Sequence, residues 1–481
     1  VADAFFTALM FPNLFRRVFA EGAFAQAFVP LYARTIEAEG EEAARKVAEE
    51  TLRGLLTVTV GLVVLAQVAM PWIMIGLHGG YRNDPIHFPL AITLTQITMP
   101  YLSFMALGAL LSGVLNSSGR FAMSAAAPTL LNLSLLAGAL LGGDPYQTAR
   151  TLAWSVTIAG LLQVLLLWYG VSRQGIRLRL GLPKLTPAVK RVAALAVPGT
   201  IAASGTQINI VVSQALASFE TGAKSWLYSA DRLYQLPLGL VGVAVGLAVL
   251  PQLSRAARAN DSASSFKTMD DGIGLAMALT LPAAAALMAA PFFLADGFFT
   301  RGDFTSIDAA QTARALFHFG WGVPAFVLMK VLGPGFYARE DTRTPMSYSL
   351  ISVAINTILG AGLFFMLKAQ GVPGFPGLAI ATSIAAWANA GLLFLTLNTR
   401  NWYKPGPRLI RRLGGALGAS AVMAAALMFL NAHRAGLEDI VFGSKFAATI
   451  LLCVTGAAVY GIFAILGGAV SIADLRRARR R

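Results

Sequence analysis

The stretch that decides the fold is ADAFFTALMFPNLFRRVFAEGAFAQAFVPLYAR, residues 2–34. It is apolar enough to lie in a membrane, yet it carries Asp3, Arg16, Arg17 and Glu21. A charge at the centre of a spanning helix costs roughly 2.5–3.5 kcal/mol on insertion scales. Two adjacent arginines at that depth therefore need water, protein or an anionic ligand beside them.

Pro12 lies just before the two arginines and predicts a break in the helix, because proline removes one backbone donor. Charge at depth beside such a break is typical of a ligand cavity in transporters. The alternative is a cytoplasmic re-entrant turn whose arginines snorkel to water. The local sequence leaves both readings open.

The composition indicates a polytopic membrane protein. Of the 481 residues, 56% are hydrophobic and 13% are charged, whereas soluble domains average about 25% charged residues. The net charge of +15 indicates basic cytoplasmic loops rather than nucleic-acid binding, since no basic run alternates with aromatic residues. One cysteine and four scattered histidines predict no disulfide framework, no metal site and no cofactor.

Thirteen apolar stretches are long enough to cross about 30 Å of hydrocarbon. The opening stretch is followed by stretches at about 54–77, 88–115, 121–142, 151–172, 192–219, 233–253, 272–295, 315–337, 344–367, 376–398, 413–432 and 446–470. Because lipid offers no hydrogen bonds to the backbone and no alternating β-pattern competes, these stretches should all be helices.

Basic residues alternate between the loops and predict the orientation. The rich loops are 173–191, 255–267, 339–343, 400–412 and the C-terminal tail. The intervening loops carry about one basic residue each, namely Arg82, Arg150, Lys224, Arg301, Lys368 and Arg434. The positive-inside rule places the rich set and the C-terminus in the cytoplasm, with Val1 outside.

An internal repeat divides the chain. Landmarks of the first half recur 221–228 residues later. Asp3 corresponds to Asp231, Pro12 to Pro237, and Val29–Pro30 to Leu250–Pro251. The stretch Asn116–Leu136 corresponds to Asp341–Leu359. Chance similarity among Ala/Leu-rich helices is the alternative, but several blocks at one offset favour a repeat. Parallel repeats place a substrate site between them. We expect an N-terminal lobe at 1–175 lacking its first helix, a C-terminal lobe at 186–400 and a terminal helix pair at 408–470.

Asp231 and Arg232 occupy the repeat position of the opening helix. Neighbours on a helix point about 100° apart, so we expect Arg232 to face the cavity, opposite Arg16, rather than to pair with Asp231. Arginine offers a planar fork that suits phosphate. The predicted substrate is therefore an anion, a phosphate or pyrophosphate. Arg17 points away from Arg16 and is expected to pair with Glu21, four residues on.

Longer motifs carry a family resemblance. They are ADAFFxAxxxPNxxRRxFAEGAFxQAFVP at 2–30, APTLLN at 127–132, SxxYxADRLxxxPxGxxGVAxGxxxLP at 225–251 and KVLxPGFYxRxDxxTP at 330–345. Together they resemble the MurJ (MviN) family of lipid II flippases, of the multidrug/oligosaccharidyl-lipid/polysaccharide exporter superfamily. The resemblance covers essentially the whole chain.

The resemblance implies an all-α, V-shaped transporter of fourteen helices, with two six-helix lobes and a terminal pair that forms a groove for the lipid tail. It implies a monomer of the bacterial inner membrane that is not an enzyme. Such proteins move the undecaprenyl-pyrophosphate-linked peptidoglycan precursor, lipid II, to the periplasmic leaflet by alternating access. Membrane lipids and the cell-wall synthesis machinery are the other expected partners.

The resemblance also implies which residues bind substrate. Arg16 and Arg232 would line the cavity and Asp3 is implicated with them. The other candidates lie in the same two motifs: Arg17, Glu21, Asn13, Asp231 and Gln235. Some relatives place a sodium-binding aspartate where this chain has Ser213, so membrane potential is the better candidate driver.

Four other functions are possible. A flippase for another polyprenyl-linked oligosaccharide would look the same in sequence. A cation-coupled drug antiporter would want carboxylates in its cavity, whereas this one is rich in arginine. A membrane glycosyltransferase would need paired carboxylates or a metal site, and a passive scaffold would not need intramembrane arginines.

Overall fold

A computed structural model describes residues 1–19, 23–179, 181, 186, 190, 209–259 and 261–469. All regular elements in these ranges are helical, which confirms the all-α fold. The chain forms two compact units, Val1–Lys224 and Ser225–Arg481.

The helices of the first 173 residues belong to the first unit. They are α1 (Ala2–Phe19), α2 (Ala23–Glu39), α3 (Glu41–Leu77), α4 (His87–Thr98), α5 (Tyr101–Ser117), α6 (Ala122–Leu140) and α7 (Pro145–Arg173). A short 3₁₀ turn, Gly79–Tyr81, follows α3.

Residues 209–217 are also helical, and the next helices begin at residue 223 and continue through the second unit. They are α8 (Ala223–Pro237), α9 (Val243–Arg258), α10 (Ser262–Ala289), α11 (Pro291–Phe299), α12 (Ser306–Gly320), α13 (Val323–Tyr337), α14 (Arg343–Ala369), α15 (Pro376–Thr399), α16 (Pro407–Ala432), α17 (Arg434–Ile440) and α18 (Lys445–Leu466). A π-helical turn, Leu238–Gly242, joins α8 to α9.

Ten helices or consecutive helix pairs in these ranges are long and apolar enough to cross a membrane, and each overlaps one of the predicted stretches. The stretch predicted at 233–253 is covered by α8, the π-turn and α9. Most of the stretch predicted at 192–219 lies outside the described residues. The apolar lengths of the sequence therefore located the spans where the structure can be compared.

The predicted helix break at Pro12 is wrong, because α1 runs without interruption through this residue. A proline at position 12 leaves the carbonyl of Ala8, four residues back, without its helical donor. The hydroxyl of Thr98 on α4 donates to that carbonyl at 3.2 Å. A neighbouring helix thus supplies the missing hydrogen bond, and the helix can continue.

The stretch predicted at 272–295 also needs correction. Helix α10 begins earlier, at Ser262, and ends at Ala289. Ala290 leaves the helical conformation (φ −138°, ψ 49°), and Pro291 begins the separate helix α11. Proline disfavours a helical conformation in the residue before it and suits the first turn of a new helix, so the chain breaks here although it stays apolar.

One hydrophobic cluster of the first unit is built on one face of α2. Phe24, Phe28 and Tyr32 recur at every fourth position, and their rings stack at centroid distances of 5.7 and 5.5 Å. Phe28 packs on Gly113 of α5, where an added Cβ would lie 2.9 Å from the ring. The absence of a side chain at Gly113 therefore sets how closely α2 approaches α5.

In the second unit a buried acid links α11 to the last two helices. The Asp296 side chain is 1% exposed and accepts hydrogen bonds from Arg434 and, at 2.6 Å, from Thr300. The Lys445 ammonium lies 3.1 Å from the same carboxylate. Arg434, predicted as a loop cation, is instead the first residue of α17 and pairs with this acid. The cluster fixes α17 and the start of α18 against α11.

Burial would by itself raise the pKa of Asp296, but the hydrogen bonds from Thr300, Arg434 and Lys445 lower it to about 2. The carboxylate is therefore ionised throughout the physiological range. Together with the Ser306 hydroxyl at 3.2 Å, these donors satisfy the buried charge, which is the condition for keeping such a charge inside a protein.

Candidate functional site

The candidate residues of the opening helix are only partly described. The backbone of Arg16 and Arg17 belongs to α1, but their side chains lie outside the described residues, as does Glu21. The cavity role of Arg16 and the pairing of Arg17 with Glu21 stay predictions. Asn13 is half-buried and lies ten residues after Asp3, about 15 Å along the helix, so these two cannot bind the same small group.

Asp3 is buried in the first turn of α1, with 3% of its surface exposed. Its Oδ2 accepts a hydrogen bond from the backbone N–H of Gly222 at 2.6 Å. Gly222 has φ +87°, a left-handed conformation that only glycine adopts readily, and it directly precedes α8. The carboxylate therefore ties the start of α1 to the backbone just before α8.

Lys224 differs most from its predicted place. It was predicted as one of the single cations of the sparse loops, but it is the second residue of α8 and fully buried. Its Nζ donates to the Thr7 hydroxyl at 2.7 Å and lies 3.1 Å from His78 Nδ1. The ammonium also sits 4.4 Å from the centre of the Tyr81 ring. We call Asp3, Thr7, His78, Tyr81 and Lys224 the lysine cluster.

Burial changes the proton affinities in this cluster. Both His78 and Lys224 lie outside the ten membrane-length helices. Burial lowers the pKa of Lys224 to about 7, although the Asp3 carboxylate opposes the shift. Burial and the neighbouring lysine lower the pKa of His78 to about 3. His78 is therefore neutral at any working pH, and its Nδ1 can accept a hydrogen bond from the lysine.

Arg232, in the middle of α8, presents its guanidinium at the surface of the second unit. The Tyr228 hydroxyl, one turn earlier, accepts from Arg232 Nη2 at 2.7 Å, and the guanidinium carbon lies 4.5 Å above the same ring. The Asp231 carboxylate accepts instead from the Gln235 amide. Arg232 is thus stacked on the Tyr228 ring, whereas Asp231 is hydrogen-bonded to Gln235 on a different face of the same helix.

This arrangement suits the binding of an oxyanion. A guanidinium has five N–H donors in a rigid fork, and the contact with Tyr228 uses only part of them. Stacking on the ring restricts the motion of the side chain, so less entropy is lost when a phosphate binds. Among the predicted residues whose side chains are described, Arg232 therefore has the arrangement that best suits an anion.

Comparison with known proteins decides the family. A model of the family described as lipid II flippase MurJ matches residues 1–442. The chain belongs to the MurJ family. A relative from Rhizobium tropici, named probable lipid II flippase MurJ, is 40% identical over all of this chain and 90% of its own length. The lipid II flippase MurJ of Burkholderia cenocepacia is 36% identical, over 88% of this chain and 82% of its own.

Solved structures share the fold. The inward closed conformation of a lipid II flippase MurJ aligns with a TM-score of 0.77 at 24% identity, covering 97% of this chain and 92% of that one. An inward-facing multidrug resistance MATE transporter aligns with a TM-score of 0.67 at 15% identity, covering 83% and 93%. The predicted family and superfamily fold are confirmed, and the chain is a multi-pass protein of the bacterial inner membrane.

The MurJ motifs predicted Arg232 but not the lysine cluster. Lys224 was predicted as the single cation of a sparse loop just before the ADRL motif, and only its charge marked it. Its partners Thr7 and His78 are 217 and 146 residues away in the chain. A lysine next to an apolar helix start is the one available signal, and it fits a snorkelling residue equally well.

Proposed function

We propose that this MurJ-family chain moves lipid II from the cytoplasmic to the periplasmic leaflet by alternating access, with Arg232 binding the pyrophosphate. The observation that carries the site assignment is the guanidinium of Arg232, exposed on a helix and held on the Tyr228 ring. A charged side chain within a membrane span is costly unless it faces water, protein or an anionic ligand, and a lipid-linked pyrophosphate supplies the matching charge for Arg232.

The proposal extends to the other predicted residues of the two motifs. Arg16 would approach the same phosphates from the first half of the chain, as its repeat position predicts. Asp3, Asn13, Asp231 and Gln235 would shape the cavity around the two arginines. The transport step needs only binding and release in alternating conformations, so we propose no covalent chemistry for this chain.

The remaining parts of the proposal concern arrangement in the membrane. Basic loops and the C-terminus would face the cytoplasm, following the positive-inside rule. The lobes 1–175 and 186–400 would enclose the cavity, and 408–470 would guide the lipid tail. The chain would work as a monomer in contact with membrane lipids, with the cell-wall synthesis machinery using its product.

The decisive experiment follows lipid II in cells. The full-length protein is expressed in bacteria depleted of their own flippase, and lipid II reaching the periplasmic leaflet is cleaved by an enzyme added from outside. We expect the wild type to restore cleavage and Arg232→Ala to reduce it tenfold or more, since about 1.5–3 kcal/mol is lost for each charged hydrogen bond. Arg232→Lys should also lose most activity, because an ammonium has no fork.

Two matched variants complete the test. Arg255→Ala removes another exposed arginine further along the same helical segment and should leave cleavage unchanged. Tyr228→Phe keeps the ring under Arg232 but removes the hydroxyl, so its loss should be smaller than that of Arg232→Ala. Protected lipid II in cells holding correctly inserted wild type would refute the function. Full cleavage with Arg232→Ala would refute the site alone.

A further inference from the structure

The lysine cluster contains a titratable group that the proposed transport step does not use. Lys224 has no exposed surface, and its amine contacts one hydroxyl, one imidazole and one aromatic ring. A charged amine is rarely held in such a place, because burial without a close network of acceptors is costly. The contacts join α1, the turn after α3 and residues 214–224, all within the first unit.

The surroundings of the amine can be named element by element. The titratable or polar groups that face it are Asp3 and Thr7 from α1 and His78 and Tyr81 from the turn after α3. Behind Tyr81, His87 stacks on its ring at 5.7 Å and pairs with Asp84 at 2.6 Å. From its own segment, Glu220 lies one turn before it and is half-buried.

Asp3 and His78 act on the Lys224 amine in different ways. Asp3 favours the charged form but is held by the Gly222 N–H at 2.6 Å. His78 accepts a hydrogen bond without adding a charge. The amine therefore has partners for its hydrogens in either state, while the low polarity of the site weakens its hold on the extra proton.

We propose that Lys224 is a proton-binding site whose affinity depends on the packing of α1 against residues 214–224. While they are packed the proton is held weakly; when they separate, water reaches the amine and the proton is held strongly. Separation therefore takes up a proton near neutral pH, and repacking releases it. The ligand is the proton itself, and the site is distinct from the phosphate-binding role proposed for Arg232.

The sign of the pH effect follows from the two affinities. The packed amine has a pKa of about 7, against 10.5 for an ordinary lysine. Between these values the separated or unfolded form binds more protons, so the packed form gains stability as pH rises through this window. Below about pH 7 the amine is charged in both forms and the cost of burying it is fully present.

Local opening gives the most direct test. Hydrogen exchange is measured on the purified full-length protein for peptides covering residues 209–224, and rates are divided by the intrinsic rate at each pH. With pKa values of about 7 and 10.5, the lysine alone should make the opening constant about 30-fold larger at pH 6 than at pH 8.5. Lys224→Met keeps a side chain of similar length but removes the titratable amine. Only the exposure of His78 then remains, with a pKa of about 3 when packed and 6.5 ordinarily, so the ratio should fall to about 4 or less.

Two further variants keep the test decisive. Lys46→Met removes an exposed lysine of the same unit and should keep the wild-type ratio. Thr7→Val removes the acceptor at 2.7 Å while keeping the shape, so the packed amine binds its proton still more weakly and the ratio should exceed that of the wild type. If Lys224→Met fails to fold, the wild type and Thr7→Val decide the question.

The outcomes separate clearly. A wild-type ratio near one, or the same ratio in wild type and Lys224→Met, would overturn the proposal. An unchanged ratio in Thr7→Val would do the same. Because exchange is read without lipid II, failure of the proton site would leave the flippase assignment untouched, and the reverse also holds.

Discussion

The contact between Thr98 and Ala8 allows a sharp test of why α1 passes through Pro12. The hydroxyl donates at 3.2 Å to the carbonyl that the proline leaves without a helical donor, and both residues are fully buried. Thr98→Val keeps the shape and removes the donor. Pro12→Ala restores the backbone N–H, so Ala8 regains its helical partner. The cost of Thr98→Val should therefore depend on residue 12.

The size of the effect can be bounded. Leaving a buried acceptor unsatisfied costs about 1–3 kcal/mol in soluble proteins. Hydrogen bonds between membrane helices are worth less, on average about 0.6 and at most about 1.7 kcal/mol in double-mutant cycles. The hydroxyl of Thr98 also reaches the Thr95 carbonyl at 3.1 Å, so part of its bonding is local. We expect Thr98→Val to cost about 1 kcal/mol when Pro12 is present and close to zero in the Pro12→Ala background.

The assay is a double-mutant cycle on reversible unfolding in mixed micelles, with the wild type, both single variants and the double variant. The interaction free energy is the quantity to report, since it cancels the separate effects of each substitution. The reasoning is refuted if Thr98→Val costs the same in both backgrounds. Helix α1 would then pass through the proline without help from α4.

Three other predictions concern stability. Asp296→Asn should lower the free energy of unfolding, measured by denaturation, by about 2 kcal/mol, because Arg434 loses its carboxylate partner in a largely buried site. As a control, Asp303→Asn, at an exposed position, should have no measurable effect. Lowering the pH from about 4 to 2 should remove a similar stabilisation of about 2 kcal/mol in the wild type, since the pKa of Asp296 is depressed to about 2; Asp296→Asn should lack this part of the acid transition. Gly113→Ala should cost about 1–3 kcal/mol through the Phe28 ring, and thermal unfolding of Gly113→Ala with Phe28→Leu should show partial recovery.

Much of the fold could be predicted because the bilayer restricts the choices. A span needs about 20 apolar residues and must satisfy its own backbone, so length and composition locate helices without knowledge of their packing. The stretches at 344–367 and 376–398 illustrate this, since α14 and α15 begin and end within a few residues of them. The break at Ala290 was missed because the chain stays apolar across it.

The candidate site was predictable to a smaller extent. Arg232 stood out because a charge in an apolar repeat has few structural explanations. The structure shows its side chain exposed on α8, and its role in binding stays a prediction. Its stacking on Tyr228 follows from i, i+4 spacing and could have been foreseen. Lys224 could not, because its burial depends on Thr7 and His78, which only the folded chain brings near. Charge counting treats such a lysine and an exposed one alike.

The two repeat prolines show how one pattern can have two structural solutions. Pro12 lies inside a continuous α-helix, and a hydroxyl from α4 satisfies the carbonyl that it frees. Pro237 ends α8, and the chain continues through a π-helical turn before α9. A π-turn widens the helix and changes which N–H groups bond to which carbonyls. The second half therefore accommodates its proline within the same chain segment, whereas the first half needs a hydrogen bond from α4. Substituting the neighbour should therefore disturb the first half only, and the cycle at Thr98 and Pro12 measures how far α1 depends on this hydrogen bond.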